Sequence, residues 1–586
     1  MAAEDDAAIT KGVLGPFLGR RENSLLRDLD ADPRERELFP NRESRPVEKG
    51  HYVRIEPTPL HQPYRIAISK DMSERLGLSQ EMIDSEDFLD LFSADTKGVD
   101  SWCTPYAVSV FGQPIESPDP FNGKGYGDGR ACSIGEYVGA DGARWELQLK
   151  GCGPTPFARN FDGRAVLRSS VREFLVSEAM HHLGVPTTRA VSLVASEVET
   201  VPRAWYRDTV PASNYDFPPD TMRKERCAIT CRAASSFLRV GQAELYMRRL
   251  ARGEEGAKEG LEKFLKHCIR IEFPNLVPRI KSGWPEVLVD MLAVLARRQA
   301  HLATAWNRVG YVQGNMNSDN CLLSGLTMDY GPFGFIESYH PLWTPFTSDP
   351  DRKFGFERQR VAAQVNVATF AQAITPLLEE GDPDVLARAK EIVRDGYPAM
   401  LAEERNAMIR AKLGLSASAR PGDDEESLEK DLWQPLYPAL INMDYTIFFR
   451  ELSNVTNDVI SRQNAPDLVA MLEERAAYEP LDAEQRKALE NWATQWLVLV
   501  HADIDMSEEK RLATMRANNP KYVPREWMLK EAYEAAENKD YGPFRTMQKL
   551  FETPYDEHPD LEAAYYRRVP ESHRRKPGVA FFSCSS

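Results

Sequence analysis

Two short segments near the middle of the chain carry residue types suited to phosphate chemistry. Gln313-Gly-Asn-Met-Asn-Ser-Asp319-Asn320 is followed by Thr327-Met-Asp329-Tyr-Gly-Pro-Phe-Gly334. Asp319 and Asp329 thus stand ten residues apart on either side of a short apolar run, the first with an amide beside it. Hard cations take oxygen ligands, and Mg2+ usually binds one or two carboxylates and shares its other positions with phosphate and water. Protein kinases meet the same need with a catalytic-loop Asn and a later Asp. The pattern points to a divalent cation carrying a phosphate ester.

Other residues upstream suit the same ligand. In Trp145-Glu-Leu-Gln-Leu-Lys150 apolar and polar residues alternate, the period of a half-buried strand, and Lys150 falls on the face opposite the core. Alone it would read as a solvated lysine. A helix is expected from about Ala165 to Leu183, since Leu167, Val171, Leu175, Ala179 and Leu183 step by four; Gly184 and Pro186 end it. Ser170, Glu173 and Ser177 form its polar stripe. Glu173 is either an exposed carboxylate or the partner of Lys150, the arrangement that fixes an ammonium over ATP phosphates in kinases.

Gly123-Lys-Gly-Tyr-Gly127-Asp-Gly129-Arg130 could bring backbone N–H groups close to phosphates, with Arg130 as a fixed positive fork. Such loops are also ordinary turns, and this one is neither a Walker A motif nor a dinucleotide fingerprint. Arg232 and Arg239 share one side only if their segment is helical; as strand and turn they could converge from two ends of a loop, and surface positions are an equal reading. A helix from Pro285 to Arg308, with Ser282 near its start, delivers the chain to the Gly310–Asn317 loop. His181, His182 and His301 read as core or surface residues.

The elements that must position these groups divide the chain as follows. Residues 1–50 read as a charged, proline-containing extension wrapped on the surface. Residues 51–240 are mixed strand and helix and hold the nucleotide-binding candidates. Residues 241–413 are mainly helical, with the metal and catalytic loop. Residues 414–427 form a linker or exposed loop. Helical periodicity returns over 428–570, as in Leu489, Trp492, Trp496 and Val500, and 571–586 form a tail with Cys584.

The whole composition excludes several classes. A chain of 586 residues exceeds one core. A net charge of -16 argues against nucleic acid or anionic membrane as the main partner. No stretch is read as a membrane span. The acidic start, Met-Ala-Ala-Glu-Asp-Asp, has the character of neither a signal peptide nor a transit peptide. The eight Cys lack zinc spacing and read as buried thiols of a reducing compartment, except Cys584, whose place on the tail suits contact with a redox partner.

At these residues the chain resembles the selenoprotein O family, a branch of the protein-kinase-like fold. The resemblance rests on Gly127–Ala131, Leu149–Arg159, Asp162–Leu175, Asn317–Asn320 and Thr327–Phe335, and on the terminal Cys-Ser-Ser, where an ordinary Cys holds the place of selenocysteine. It implies an α+β, bilobal fold with an added C-terminal helical region. It also implies transfer of AMP from ATP, bound in a reversed orientation, to Ser, Thr or Tyr hydroxyls of proteins. Gly127, Gly129, Arg130, Lys150, Asp162, Gly163, Arg232 and Arg239 would hold the nucleotide, and Glu173 would orient Lys150. Asn320 and Asp329 would bind Mg2+ or Mn2+, with Asp329 also near ATP, and Asp319 would take the proton from the hydroxyl. The resemblance implies a mitochondrial location in eukaryotes, with the cytoplasm as the alternative. Three features depart from pattern: Asp319 and Asn320 are adjacent, where a kinase catalytic loop spaces Asp and Asn several residues apart; Gln313 stands where relatives commonly have His; and Val108–Gly112 lacks their His-Gln and is followed by a longer loop. The competing readings are a γ-phosphoryl protein kinase and a nucleotide-binding scaffold without catalysis.

Overall fold

The computed structural model describes residues 12–115, 121–205, 221–281, 283–379, 383–421 and 428–574. Cys584, Ser282 and part of the expected 414–427 linker lie outside the described residues.

Eight strands form one antiparallel sheet: β1 (Val53–Arg54), β2 (Pro63–Ile68), β3 (Trp102–Cys103), β4 (Ala131–Val138), β5 (Arg144–Lys150), β6 (Ala165–Val166), β7 (Arg189–Trp205) and β8 (Thr221–Ala234). Their order is β1-β3-β4-β5-β8-β7-β2, with β6 paired to β8. The alternation expected for residues 145–150 is that of β5, which is central. Ala131 flanks Lys150 on one side and Thr230 on the other, while Arg232 lies opposite Gln148. Leu147 and Leu149 face a core with Ile134 and Tyr137, so Glu146, Gln148 and Lys150 face the other way.

The helix after the sheet's sixth strand is α1 (Leu167–His182). It begins two residues later than expected because Ala165 and Val166 pair with Ala228 and Cys227 of β8. Four helices follow β8 before the second lobe closes: α2 (Val240–Ala251), α3 (Ala257–Glu272), α4 (Trp284–Val309) and, after the loops of the site, α5 (Gln359–Leu378). Between α4 and α5, β9 (Tyr311–Val312) pairs with β10 (Gly334–Phe335). The α6 helix (Tyr397–Leu413) leads into α7 (Tyr445–Leu452), α8 (Ala465–Ala476), α9 (Ala483–Ala502), α10 (Glu526–Glu537) and α11 (Gly542–Glu552). The fold is α+β, a sheet-bearing lobe beside a helical one, with a further helical region.

Three observations refine the sequence reading. The N-terminal segment does more than lie on the surface: Leu14, Phe17 and Leu18 are buried, and Phe17 stacks on Tyr137 with ring centroids 4.3 Å apart. The α10 and α11 helices share one core with α1, α4 and α5, so the end of the chain returns to the sheet-bearing lobe. One segment, Phe356–Leu378, does have the length and composition to cross a membrane. Its Ala362, Ala363, Val367, Phe370 and Ile374 are buried against the same core as α4, which identifies it as the central helix of a packed lobe.

Candidate active site

The pairing of β9 with β10 explains how the two carboxylate segments meet. One loop leaves β9 and carries residues 313–320; the other enters β10 and carries residues 327–333. Gln313 ties them, donating from Nε2 to Met328 O at 2.6 Å, while its own N–H donates to Gln359 Oε1 at 2.9 Å. Gln313 therefore bonds the two segments to each other. Gly314 lies so close to Pro332 O that a Cβ would stand 1.8 Å from it, and its φ is +74°, so only glycine fits. Asn366 of α5 donates to Met316 O at 2.9 Å and holds the loop from below.

Asp329 is the meeting point of the cations. Lys150 Nζ donates to Glu173 Oε2 at 2.5 Å and is also paired with Asp329. Arg232 reaches Glu173 at 3.2 Å and Asp329 at 3.7 Å, and its guanidinium is fixed by Gln148 Oε1 at 2.6 and 3.0 Å. Lys150, Glu173 and Arg232 are buried, so these charges are weakly screened by water. Burial alone would raise the Asp329 carboxyl, but Lys150, Arg232 and Arg130 outweigh it and hold the group well below the usual carboxylate range. Its backbone is left-handed, φ +59°, unusual for a residue with a side chain.

Asp319 has a different environment. It lies in the short turn Ser318–Asn320. Burial pushes its carboxyl up to about 6, opposed by Arg239, with Asp329 and Glu244 adding to the rise. Arg239 donates to Asp319 O at 3.2 Å and to Asp128 Oδ1 at 3.0 Å, and lies 4.6 Å over the Tyr106 ring. Ser318 is anchored by its Oγ donating to Glu244 Oε2 at 2.6 Å, and it accepts from Ser109 N at 2.8 Å. Asn320 donates to Asn315 O at 3.4 Å through its amide nitrogen, which leaves the amide oxygen for a ligand. Asn317 Oδ1 and Asp319 Oδ1 are buried and accept no hydrogen bond. Two buried acceptors without donors are costly unless something outside the chain satisfies them.

The structure gathers Lys150, Glu173, Arg232 and Asp329 into one contact network. Asp319, Asn320 and Arg239 adjoin it, since the charges of Asp319 and Asp329 act on one another. Arg130 joins through its charge on Asp329, and its carbonyl accepts from Gly151 N at 2.7 Å beside Lys150. Gly127 and Gly129 lie against Phe157, and the Asp128 between them links this loop to Arg239. Asp162 engages other partners: its carboxylate accepts from Arg203 at 2.7 Å on both oxygens and from Arg164 N at 2.8 Å. Gly163 accepts from Gly153 N at 3.1 Å in the same loop. Sequence reasoning gave no role to Asp128 or Asn317, although both stand inside quoted motifs, and missed Glu244, which carries no local signal. The Arg232–Arg239 alternative resolves as strand and loop: Arg232 is on β8, Arg239 at the foot of α2.

Among the described residues no three His, Cys, Asp or Glu side chains converge at ligand spacing. The oxygens of Asn317, Asp319, Asn320 and Asp329 are all hard donors, and they fit a cation that completes its shell with phosphate and water.

Comparison with known proteins places the chain in a family. Residues 39–552 match the family described as Protein adenylyltransferase SelO. A Protein nucleotidyltransferase YdiU of Rhodopirellula baltica is 36% identical over 577 residues, covering 96% of this chain and 99% of the relative. The proteins of the same name from Azoarcus sp. and Xanthomonas campestris are 37% and 36% identical, covering 96% and 97% of this chain and 99% of each relative.

Proposed function

The chain belongs to the SelO family of protein adenylyltransferases, and on that premise we propose that it transfers AMP from ATP to hydroxyl side chains of other proteins, releasing pyrophosphate. The observation that carries this reading is the junction of buried Lys150, Glu173 and Arg232 with Asp329, next to the Asp319 carboxylate, whose buried Oδ1 has no donor.

In the proposed reaction a Ser, Thr or Tyr oxygen attacks the α-phosphorus, and the bond from that phosphorus to the bridging oxygen of pyrophosphate breaks. The hydroxyl proton passes to Asp319 Oδ1. A carboxyl pushed up to about 6 is ionised at neutral pH yet basic enough to take that proton. Lys150, Arg232 and Arg130 place positive charge where the anionic leaving group develops, and burial of the first two strengthens its effect. Asn320 and Asp329 would hold Mg2+ or Mn2+, with Asn317 as a further oxygen donor; such an ion neutralises phosphate charge. Glu173 and Gln148 fix Lys150 and Arg232, so little reorganisation is needed at the moment of reaction.

The test is incubation of the purified chain and candidate protein acceptors with ATP radiolabelled at the α or at the γ phosphate. Label on protein from the α position alone is expected. Label from the γ position alone overturns the reading in favour of a kinase, and nucleotide binding with no label from either identifies a scaffold.

A further inference from the structure

Arg172 stands next to Glu173 on α1 yet points elsewhere. Its side chain is fully buried. Nη1 donates to Gly331 O at 3.0 Å and Nη2 to Phe333 O at 3.4 Å, and the guanidinium lies 4.3 Å over the Phe333 ring. Its counter-ion is Glu526, the first residue of α10, which accepts at 2.9 and 3.3 Å. Arg525, the preceding residue, grips Asp444 at 2.7 and 2.8 Å and also pairs with Glu337, just beyond β10.

These contacts close a ring. From Glu173 it runs to Lys150, from Lys150 to Asp329, along two peptide units to Gly331, and through Arg172 back to the residue beside Glu173. Asp329 sits in a left-handed backbone conformation that surroundings must hold in place. Within the ring Arg172 bonds the carbonyls of Gly331 and Phe333, two and four residues beyond Asp329. Glu526 and Arg525 then attach the ring to the C-terminal helices.

Resting on the adenylyltransferase reading, we infer that Arg172 is a positioning residue for the reaction. It holds the Asp329–Phe333 segment in its ligand-binding conformation, and the Arg525–Glu526 pair makes that conformation depend on the C-terminal helical region. The chemistry is an arginine fork satisfying two carbonyl acceptors that no neighbouring secondary structure bonds.

The experiment compares three full-length proteins: wild type, Glu526→Gln, and Arg172→Met combined with Glu526→Gln. The double variant avoids leaving a buried carboxylate without its partner. Hydrogen–deuterium exchange of the 327–335 peptide is measured without nucleotide, and AMP transfer is measured against Mg2+ concentration. Faster exchange confined to 327–335 is expected in the double variant. So are a raised Mg2+ requirement and a loss of kcat on the order of 10²-fold, as expected when a reacting group is misplaced by an ångström. Glu526→Gln, which keeps the carbonyl bonds, should lie between. A thermal midpoint matched to Glu526→Gln, with unchanged exchange and unchanged Mg2+ dependence, overturns the inference. If wild type transfers no AMP, the functional reading fails, and the exchange comparison alone still decides whether Arg172 holds the segment. Should the double variant not fold, Arg172→Lys decides: it keeps the charge, lacks the fork, and is expected to show the same exchange change in smaller measure.

Discussion

Lys150, Glu173, Arg232 and Gln148 satisfy one another, whereas the neighbouring loop leaves Asn317 Oδ1 and Asp319 Oδ1 buried without a donor. The two sets form two walls that adjoin at Asp329, which Lys150 and Arg232 reach directly and whose charge acts on Asp319. The first is internally complete, so its charges keep their places whether or not a ligand is bound. The second is finished only by something from outside: a cation, a phosphate or a hydroxyl. The difference separates residues that orient from residues that react.

That contrast can be broken at its joint. Asp329 belongs to both walls, and Asp329→Ala is expected to reduce metal-dependent AMP transfer to background while circular dichroism stays native. Full activity would mean that the cation is held elsewhere. On the unfinished wall alone, Asp319→Ala should lower kcat by about 10²–10⁴-fold, the usual contribution of a positioned proton acceptor. In wild type, kcat/KM should rise as pH increases through about 6, where Asp319 ionises, and this limb should be missing from the variant's profile. On the finished wall, Glu173→Gln should cost only about tenfold, roughly 1.4 kcal/mol of transition-state stabilisation, because Lys150 keeps Asp329 and Arg232 keeps Gln148. A larger loss there than at Asp319 would invert the comparison.

The smallest expected effect is on stability. The folded state holds the Asp319 carboxyl above its unfolded value of 3.8, so ionising it works against folding as pH rises from about 4 to 6. Asp319→Asn should therefore raise the thermal midpoint above pH 6, and the gain should vanish below pH 4. A midpoint lowered at pH 8 would show that the carboxylate is supported by partners in the folded protein.

Local periodicity made part of this legible. The alternation of Trp145 to Lys150 placed Lys150 on its strand, and the four-residue steps from Leu167 placed Glu173 on its helix, so their contact could be anticipated from order alone. The motif resemblance brought Asp319, Asn320 and Asp329 to one place; the β9–β10 pairing that does this physically is only two residues per strand. Arg172 and Glu526 were out of reach, being 354 residues apart with no pattern that links them. Asp162 illustrates the opposite limit: the sequence shows a turn before a helix, but only the folded chain shows Arg203 closing on its carboxylate. The buried N-terminal segment was hidden by its own charge, since few apolar residues among many polar ones give no period.

That segment has a practical consequence for anyone trimming the protein. The match to the family model begins at residue 39, a tempting place to start a shorter version. Such a cut would strip Leu14, Phe17 and Leu18 from the back of the sheet and lay bare the Tyr137 ring. Each lost side chain forfeits roughly 1.5–3 kcal/mol of burial. The newly wetted patch lies on the far side of the same two strands whose other face bears Lys150, so a shortened enzyme would be handicapped through its scaffold before any reacting group had been touched.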